Sequence, residues 1–148
     1  MYTWNAVAAL PKDCPVDIVF VVDESGSITL ANFNLTKSFL SQLVDRLDIE
    51  SGRTRVGLVT FASGVGTGFN LSDYQTIASM QSAISSLSYA GGGTNTAAAL
   101  AYVRTTMLTP AAGDRGDIPN VVVVLTDGQS NNANHTQVCK MFRTLFAT

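Results

Sequence analysis

The amino-acid sequence predicts a doubly wound α/β domain, in which a mostly parallel β-sheet carries helices on both faces. Runs of apolar, β-branched residues alternate along the chain with segments in which apolar residues recur every three or four positions. The apolar runs are continuous, as is typical of parallel strands that are buried on both faces. A length of 148 residues suits one domain and is too short for two. We therefore expect an N-terminal extension over 1–13 and a single domain over 14–148.

Four apolar runs account for the predicted strands. The run "VDIVFVV" is the first, and "NVVVVLT" has the strongest strand character in the chain. Gly64, Gly66 and Gly68 predict a turn, and the short strand "GFNLS" that follows is expected at an edge of the sheet. The predicted strands span 16–22, 55–61, 68–72 and 120–126.

Stripes of apolar residues predict helices between these strands. Phe33, Leu40 and Leu47 recur at helical spacing in the first of them. Asp73 is a suitable N-cap for the second, whose stripe runs from Ile77. The other predicted helices span 97–107 and 136–146, and the first spans 29–47.

The composition excludes several classes of protein. Hydrophobic residues make up 46% of the chain and charged residues 14%, with a formal net charge of −2, which indicates a globular domain and gives no electrostatic basis for binding nucleic acid. No apolar run approaches the roughly 18–20 residues of a membrane span. The N-terminus lacks the basic segment and long apolar core of a signal peptide.

The stretch "VDESGSI" follows the first strand and carries the main functional signal. Alternate side chains of extended backbone point the same way, so Asp23, Ser25 and Ser27 are expected to face one point, and Gly26 allows the backbone to bend there. Ligands of open parallel sheets bind beyond the carboxyl ends of the strands. Taken alone, the pattern also fits a set of caps at a strand-to-helix turn.

Two further residues are expected at the same edge of the sheet. Asp127 ends the "VVVVLT" strand, and Thr94 lies in the loop "GGGTNT" between two helices. With Asp23, Ser25 and Ser27 they form a set of two carboxylates and three hydroxyls. Such a set suits a hard divalent cation, and five side chains leave a coordination position open for an incoming carboxylate.

Three motifs in order, "DIVFVVDESGSI", "GGGTNTAAAL" and "VVVVLTDGQS", resemble the von Willebrand factor type A domains, in particular those of extracellular matrix proteins and integrins. The resemblance covers about 14–131. It implies that Ser25, Ser27 and Thr94 coordinate Mg²⁺, with Mn²⁺ as a substitute, and that Asp23 and Asp127 act largely through water. This is the metal-ion-dependent adhesion site of the family, in which a Glu or Asp of the ligand completes the shell.

The resemblance implies a secreted module that binds an acidic residue of an extracellular matrix or cell-surface protein and catalyses nothing. The single histidine excludes a triad built on several histidines, Ser25 has no base to activate it, and no phosphate-binding or dinucleotide fingerprint is present. Two alternatives stay open. One is a structural matrix domain that self-associates through an exposed sheet edge without metal, and the other is an intracellular subunit of a larger complex.

Other motifs bear on secretion and adhesion. Asn34, Asn70 and Asn134 each begin an Asn-x-Ser/Thr sequence, a candidate glycosylation site in a secreted protein. Cys14 and Cys139 either pair in a disulfide or remain thiols. The tripeptide Arg115, Gly116, Asp117 matches the sequence that integrins recognise. We expect it in a loop at the opposite end of the sheet from the metal site, as an adhesive motif or as a solvated turn.

The end of the chain departs from the family pattern. The family continues after "TDGQS" with two more strands, whereas "NNANHTQVCKMFRTLFAT" predicts one helix at most. The fourth strand would then be a long, apolar, unpaired edge, open to aggregation or to strand addition by a partner. On this pattern the chain is a domain incomplete at its C-terminus, either a fragment or a spliced form.

Overall fold

The computed structural model describes residues 14–127 and, for the backbone, a strand over 144–146. Its centre is a five-stranded sheet in the order β3-β2-β1-β4-β5. Every neighbouring pair is parallel except β2 and β3, which are antiparallel. The mostly parallel sheet expected from the sequence is confirmed. The strands are β1 (Val16–Asp23), β2 (Thr54–Phe61), β3 (Val65–Phe69), β4 (Asn120–Leu125) and β5 (Thr144–Phe146).

Within residues 14–127, three helices connect these strands. All three were expected at these positions, although α1 ends three residues before the predicted end. The third continues as a π-helical turn over Val103–Met107, and a 3-10 turn over Pro110–Ala112 follows it. No helix within residues 14–127 is long and apolar enough to cross a membrane. The helices are α1 (Thr29–Val44), α2 (Ile77–Ser85) and α3 (Thr96–Tyr102).

Strand β1 lies in the middle of the sheet, and all eight of its residues are buried. Its side chains alternate between two cores, because successive residues of a strand point to opposite faces. Phe20 packs in the core that contains α1 and α2, whereas Val19 and Val21 pack in the core that contains α3. The continuous apolar run of β1 is therefore explained by helices on both faces.

The β2–β3 hairpin differs from the prediction. Gly66 and Gly68 belong to β3 rather than to the turn before it, and residues 70–72 lie outside the strand. A Cβ on Gly68 would stand 2.1 Å from the carbonyl oxygen of Leu58, so β3 passes β2 too closely for a side chain. The edge position of this strand is confirmed.

The N-cap of α2 was also placed wrongly. The cap is Thr76, whose hydroxyl accepts a hydrogen bond from the backbone N–H of Ser79 at 3.2 Å. Asp73 instead closes a turn by accepting a hydrogen bond from the backbone N–H of Asn70 at 2.7 Å. Both residue types cap helices, and the sequence pattern did not distinguish them.

The prediction of an unpaired fourth strand is wrong. Residues 144–146 form β5, which pairs in parallel with Val122–Val124 of β4, so these three residues are not part of a helix. The rest of the predicted helix, 136–143, lies outside the described residues. A short apolar run fits a strand or a helix equally well from its pattern, and pairing with a distant strand is what decides between them here.

The winding of the sheet reverses beside β1. Strand β2 lies on one side of β1 and β4 on the other, so the connections run in opposite directions from the central strand. The carboxyl ends of β1 and β4 therefore form the topological switch point of the sheet, where ligands of such folds bind.

Candidate metal centre

The turn after β1 is organised around the carboxylate of Asp23. One carboxylate oxygen accepts the backbone N–H of Ser25 at 2.8 Å, and the other accepts the hydroxyl of Thr126 at 2.6 Å. Asp23 is 1% exposed and Ser25 is equally buried. The carboxylate thus ties the end of β1 to the end of β4 across the switch point.

A chain of side-chain oxygens leads outward from this buried pair. The hydroxyls of Ser25 and Ser27 are 3.2 Å apart, and the Ser27 hydroxyl donates to Asp127 at 3.0 Å. Ser27 and Asp127 are exposed. Four of the five predicted ligands are therefore in one hydrogen-bonded cluster that runs from the interior to the surface.

Thr94 lies in a loop that is fastened to the same turn by backbone hydrogen bonds. The backbone N–H of Gly26 donates to the carbonyl of Gly92 at 2.9 Å, and that of Gly91 donates to the carbonyl of Glu24 at 3.0 Å. Thr94 itself is 8% exposed. The structure brings the fifth predicted residue to the same end of the sheet.

The close approach of these loops depends on glycine at position 92. Gly92 has a φ of +104°, in the left-handed region that other residues rarely adopt. A Cβ there would also stand 2.9 Å from the hydroxyl oxygen of Ser63. The triple glycine before Thr94 therefore has a structural reason in the shape of this loop.

The centre is rich in negative charge. Asp23 and Glu24 are both buried, and Asp127 lies at the surface, where it accepts a hydrogen bond from Ser27. The donors that the described residues supply to Asp23 are an amide and a hydroxyl, which carry no charge. Burial of a carboxylate without a cation is costly.

The set of oxygens fits a hard divalent cation. It consists of carboxylates and hydroxyls, the donors that suit Mg²⁺ or Mn²⁺. Within residues 14–127, no three Asp, Glu, His or Cys side chains come together as a metal cluster. Any metal held here would therefore depend on the hydroxyl groups for part of its shell.

Three residues of the centre were missed by the sequence analysis. Glu24 bonds to both neighbouring loops, Thr126 donates to Asp23, and Tyr89 donates its hydroxyl to the carbonyl of Ser25 at 3.1 Å. The signal for Glu24 was a second acidic residue directly after an apolar strand. Thr126 and Tyr89 lie far from the motif in sequence, so only the fold reveals their contacts.

The predicted sites outside the centre are dispersed over the molecule. Asn34 is exposed on α1, and Asn70 is half-buried after β3, while Asn134 lies outside the described residues. Cys14 is exposed, and Cys139 also lies outside them, so their pairing is not described.

The tripeptide at 115–117 lies at the opposite end of β1 from Asp23, as expected. The guanidinium of Arg115 binds the fully buried carboxylate of Asp17, with 2.6 Å between Nη2 and Oδ1. It also donates to the carbonyls of Val16, Gly52 and Arg53, while Asp117 is exposed. Arg115 is therefore used inside the domain, where it joins three chain segments.

Comparison with known proteins agrees with this architecture. The sequence model of the von Willebrand factor type A domain matches residues 17–145. The chain belongs to the von Willebrand factor type A family. The resemblance expected from the three motifs is thereby confirmed, and the match includes all five residues of the candidate centre.

Relatives of this von Willebrand factor type A domain include matrix proteins. The chain is 38% identical over 133 residues to the mouse collagen alpha-4(VI) chain and 39% identical over 130 residues to human matrilin-1. Each alignment covers 88% of the chain, but only 6% of the collagen and 26% of the matrilin. The chain thus corresponds to a small part of each of these relatives.

Solved structures show the same fold. Proximal thread matrix protein 1 from the mussel byssus superposes with a TM-score of 0.79 at 26% identity, covering 90% of this chain and 38% of that one. Another structure of the same protein, at 28% identity and a TM-score of 0.78, has a zinc-occupied MIDAS (metal-ion-dependent adhesion site) motif. A domain of this fold therefore binds metal through that motif.

Proposed function

We propose that this domain binds a carboxylate of an extracellular matrix or cell-surface protein through a Mg²⁺ or Mn²⁺ ion held at the carboxyl end of its sheet. The observation that carries the proposal is the hydrogen-bonded cluster of Asp23, Ser25, Ser27 and Asp127 around a buried carboxylate, to which the described residues offer only uncharged donors. A divalent cation supplies the positive charge that the described residues do not.

Each residue has a distinct part in this proposal. Ser25, Ser27 and Thr94 offer neutral oxygen ligands. Asp23 and Asp127 supply negative charge, which acts largely through water. A metal ion with only two carboxylates near it remains electrophilic, and this favours a Glu or Asp of the ligand in the open position.

Secretion is part of the same proposal. The named relatives are collagen, matrilin and byssal matrix proteins, which supports an extracellular matrix setting for this domain. The exposed Asn34 on α1 is then open to glycosylation. Expression through the secretory pathway should add a glycan to Asn34. A glycosidase should remove this glycan, and the Asn34→Gln variant should have a lower mass because it lacks the glycan. Unmodified Asn34 in the secreted protein would contradict this part.

Binding of Mn²⁺ to the 148-residue chain is the direct test of the metal centre. We expect saturable binding with one ion per chain, measured by calorimetry or by electron paramagnetic resonance. Asp127→Ala should raise the dissociation constant by about 10-fold to 100-fold, because groups around a metal's first ligands have effects of this size. Mg²⁺ should compete for the same site.

The matched control is Asp117→Ala. Asp117 is an exposed aspartate at the other end of the sheet, so its loss changes the net charge equally but leaves the centre intact. Equal loss of Mn²⁺ binding in both variants would mean general electrostatic attraction rather than a site, and the proposal would fail.

The ligand half of the proposal needs a separate measurement. Purified matrix proteins such as collagen and laminin can be immobilised, either untreated or with their carboxylates amidated. The untreated proteins should bind the chain in Mg²⁺ but not in EDTA, and the amidated proteins should not bind it. Binding that survives both treatments would instead support the self-associating or structural alternative. Because Val122–Val124 of β4 are paired with β5, self-association would have to use another edge of the sheet.

A further inference from the structure

Glu24 stands between the two loops of the metal centre and is not one of the five predicted ligands. Its side chain is buried, with 3% exposure, directly between Asp23 and Ser25 in the sequence. Its backbone N–H donates to the carbonyl of Phe61 at 2.8 Å, which continues the pairing of β1 with β2. Because a buried carboxylate is costly without hydrogen-bond donors, the partners of Glu24 indicate what it does here.

One carboxylate oxygen of Glu24 binds the β2–β3 hairpin. The hydroxyl of Thr60 donates to Oε1 at 2.9 Å, and the same hydroxyl oxygen accepts the backbone N–H of Thr67 at 2.9 Å. A Cβ on Gly66 would stand 2.3 Å from Glu24 Oε1 and equally close to the Thr60 hydroxyl. The hairpin therefore has glycine where the carboxylate passes.

The other carboxylate oxygen binds the loop that carries Thr94. The backbone N–H of Ala90 donates to Oε2 at 3.2 Å, and the next N–H, of Gly91, donates to the Glu24 carbonyl at 3.0 Å. Two successive amides of the loop are thus held by one residue. Thr94 follows three residues after the second of them.

We propose that Glu24 is a positioning residue of the metal centre, which holds the Thr94 loop and the β2–β3 hairpin at the distance that the bound ion requires. The inference rests on the proposed metal binding and deepens it. It makes Gly66, in strand β3 of the neighbouring hairpin, part of the support for the site.

Position and charge make different predictions for Glu24→Gln. A glutamine oxygen can accept the Ala90 N–H, and its amide can donate to the Thr60 hydroxyl oxygen. The Thr60 hydrogen then turns to the carbonyl of Thr67, which is 3.1 Å away. Both loops stay connected while the negative charge is lost. A positioning role therefore predicts that glutamine retains most of the affinity.

The experiment measures the Mn²⁺ dissociation constant of five variants at a temperature where circular dichroism shows each to be folded. Glu24→Ala removes the connection, and Gly66→Ala displaces the carboxylate without altering it. We expect both to raise the dissociation constant by about tenfold or more, as loss of supporting residues does at other metal sites. Glu24→Gln should stay within about threefold of the wild type.

Gly64→Ala is the matched control for the hairpin, because a Cβ there meets nothing within 4 Å. It should bind Mn²⁺ like the wild type. Ile84→Val controls for stability, since it shortens a fully buried side chain of α2 and leaves a small cavity in the core. It should lower the melting temperature and leave the dissociation constant unchanged.

Each outcome decides between the possible roles. Wild-type affinity in both Glu24→Ala and Gly66→Ala would reduce Glu24 to a structural residue and overturn the inference, while the proposed function would stand. Equal loss in Glu24→Gln and Glu24→Ala would assign the effect to charge rather than position, which also overturns it. A wild-type chain that binds no Mn²⁺ would overturn the proposed function and this inference together.

Discussion

Strand β1 carries a buried aspartate at each end, and the two carboxylates are stabilised in different ways. Asp17 is fully buried and pairs with the guanidinium of Arg115, which also binds three backbone carbonyls. Asp23 is equally buried but receives hydrogen bonds from uncharged groups, the amide of Ser25 and the hydroxyl of Thr126. One end of the strand has its cation within the chain, and the described residues supply none to the other.

The difference gives a way to distinguish a structural carboxylate from one that a bound cation would stabilise, as proposed for Asp23. Removal of a charged group from water costs several kcal/mol, and a partner of opposite charge offsets that cost. At Asp17 the offset is permanent, whereas at Asp23 it would come with a metal ion. The two aspartates are equally buried, so burial does not distinguish them. They differ in the charge of their hydrogen-bond donors.

Loss of the Arg115 guanidinium should have the largest effect on the stability of the domain. Arg115→Ala leaves Asp17 buried without a partner and removes the contacts to three carbonyls. We expect the free energy of unfolding to fall by about 3 kcal/mol, equally in EDTA and in Mg²⁺. Urea unfolding monitored by circular dichroism measures this. A loss below about 0.5 kcal/mol, the level of an exposed pair, would remove the distinction between the two ends.

Asparagine at each end gives the sharpest form of the comparison. Millimolar Mg²⁺ at about 100 times its dissociation constant should stabilise the wild type by about 2.7 kcal/mol. Asp17→Asn should keep that increment but be less stable than the wild type in EDTA. Asp23→Asn should lose the increment and stay within about 1 kcal/mol of the wild type in EDTA, because it removes a buried charge to which the described residues offer no cation.

The same melts in EDTA and Mg²⁺ read out both variants. A Mg²⁺ increment retained in Asp23→Asn would show that this carboxylate does not serve the metal. A loss in EDTA of the same size in both variants would show that the two carboxylates are equally structural.

Tyr89→Phe should have a smaller effect at the metal end. It removes the hydroxyl that donates to the carbonyl of Ser25 and keeps the ring, whose centroid lies 5.7 Å from that of Phe33. Loss of one such hydrogen bond should cost about 1 kcal/mol in urea unfolding. A cost near that of Arg115→Ala would mean that this end depends on its hydrogen bonds as strongly as the other end depends on its ion pair.

Asp48→Ala should have the smallest effect. Asp48 lies 4.0 Å from Arg53 at the end of the sheet that holds Arg115, and both side chains are about half exposed, at 42% and 51%. Removal of such an exposed pair should change stability by less than about 0.5 kcal/mol, as measured by thermal unfolding. A cost above 1 kcal/mol would show that exposure is a poor guide to the strength of ion pairs in this domain.

The sequence predicted the strands and the centre where the signals were local. The continuous apolar run of β1 and the alternation of Asp23, Ser25 and Ser27 follow directly from the pattern of buried strands and extended turns. The order of the strands placed Asp127 at the same edge. The order of the elements also placed Thr94 there, and family resemblance added the expectation that it coordinates a metal ion directly.

The remaining features depend on contacts between distant parts of the chain. Arg115 is 98 residues from Asp17, and a charged residue in a loop gives no sign of its partner. Strand β5 is three residues long and is defined by pairing with β4 rather than by its own pattern. Glycines of the hairpin were read as a turn because the close approach of Gly68 to Leu58 is visible only in the fold.

The length of β1 has a practical consequence for protein engineering. Asp23 lies six positions after Asp17, which places the two residues about 20 Å apart along an extended strand. Effects of substitutions more than about 10 Å apart with no shared partners usually add. The Arg115 end can therefore be redesigned to raise or lower the thermal tolerance of the domain while the affinity of the opposite end is left as it is.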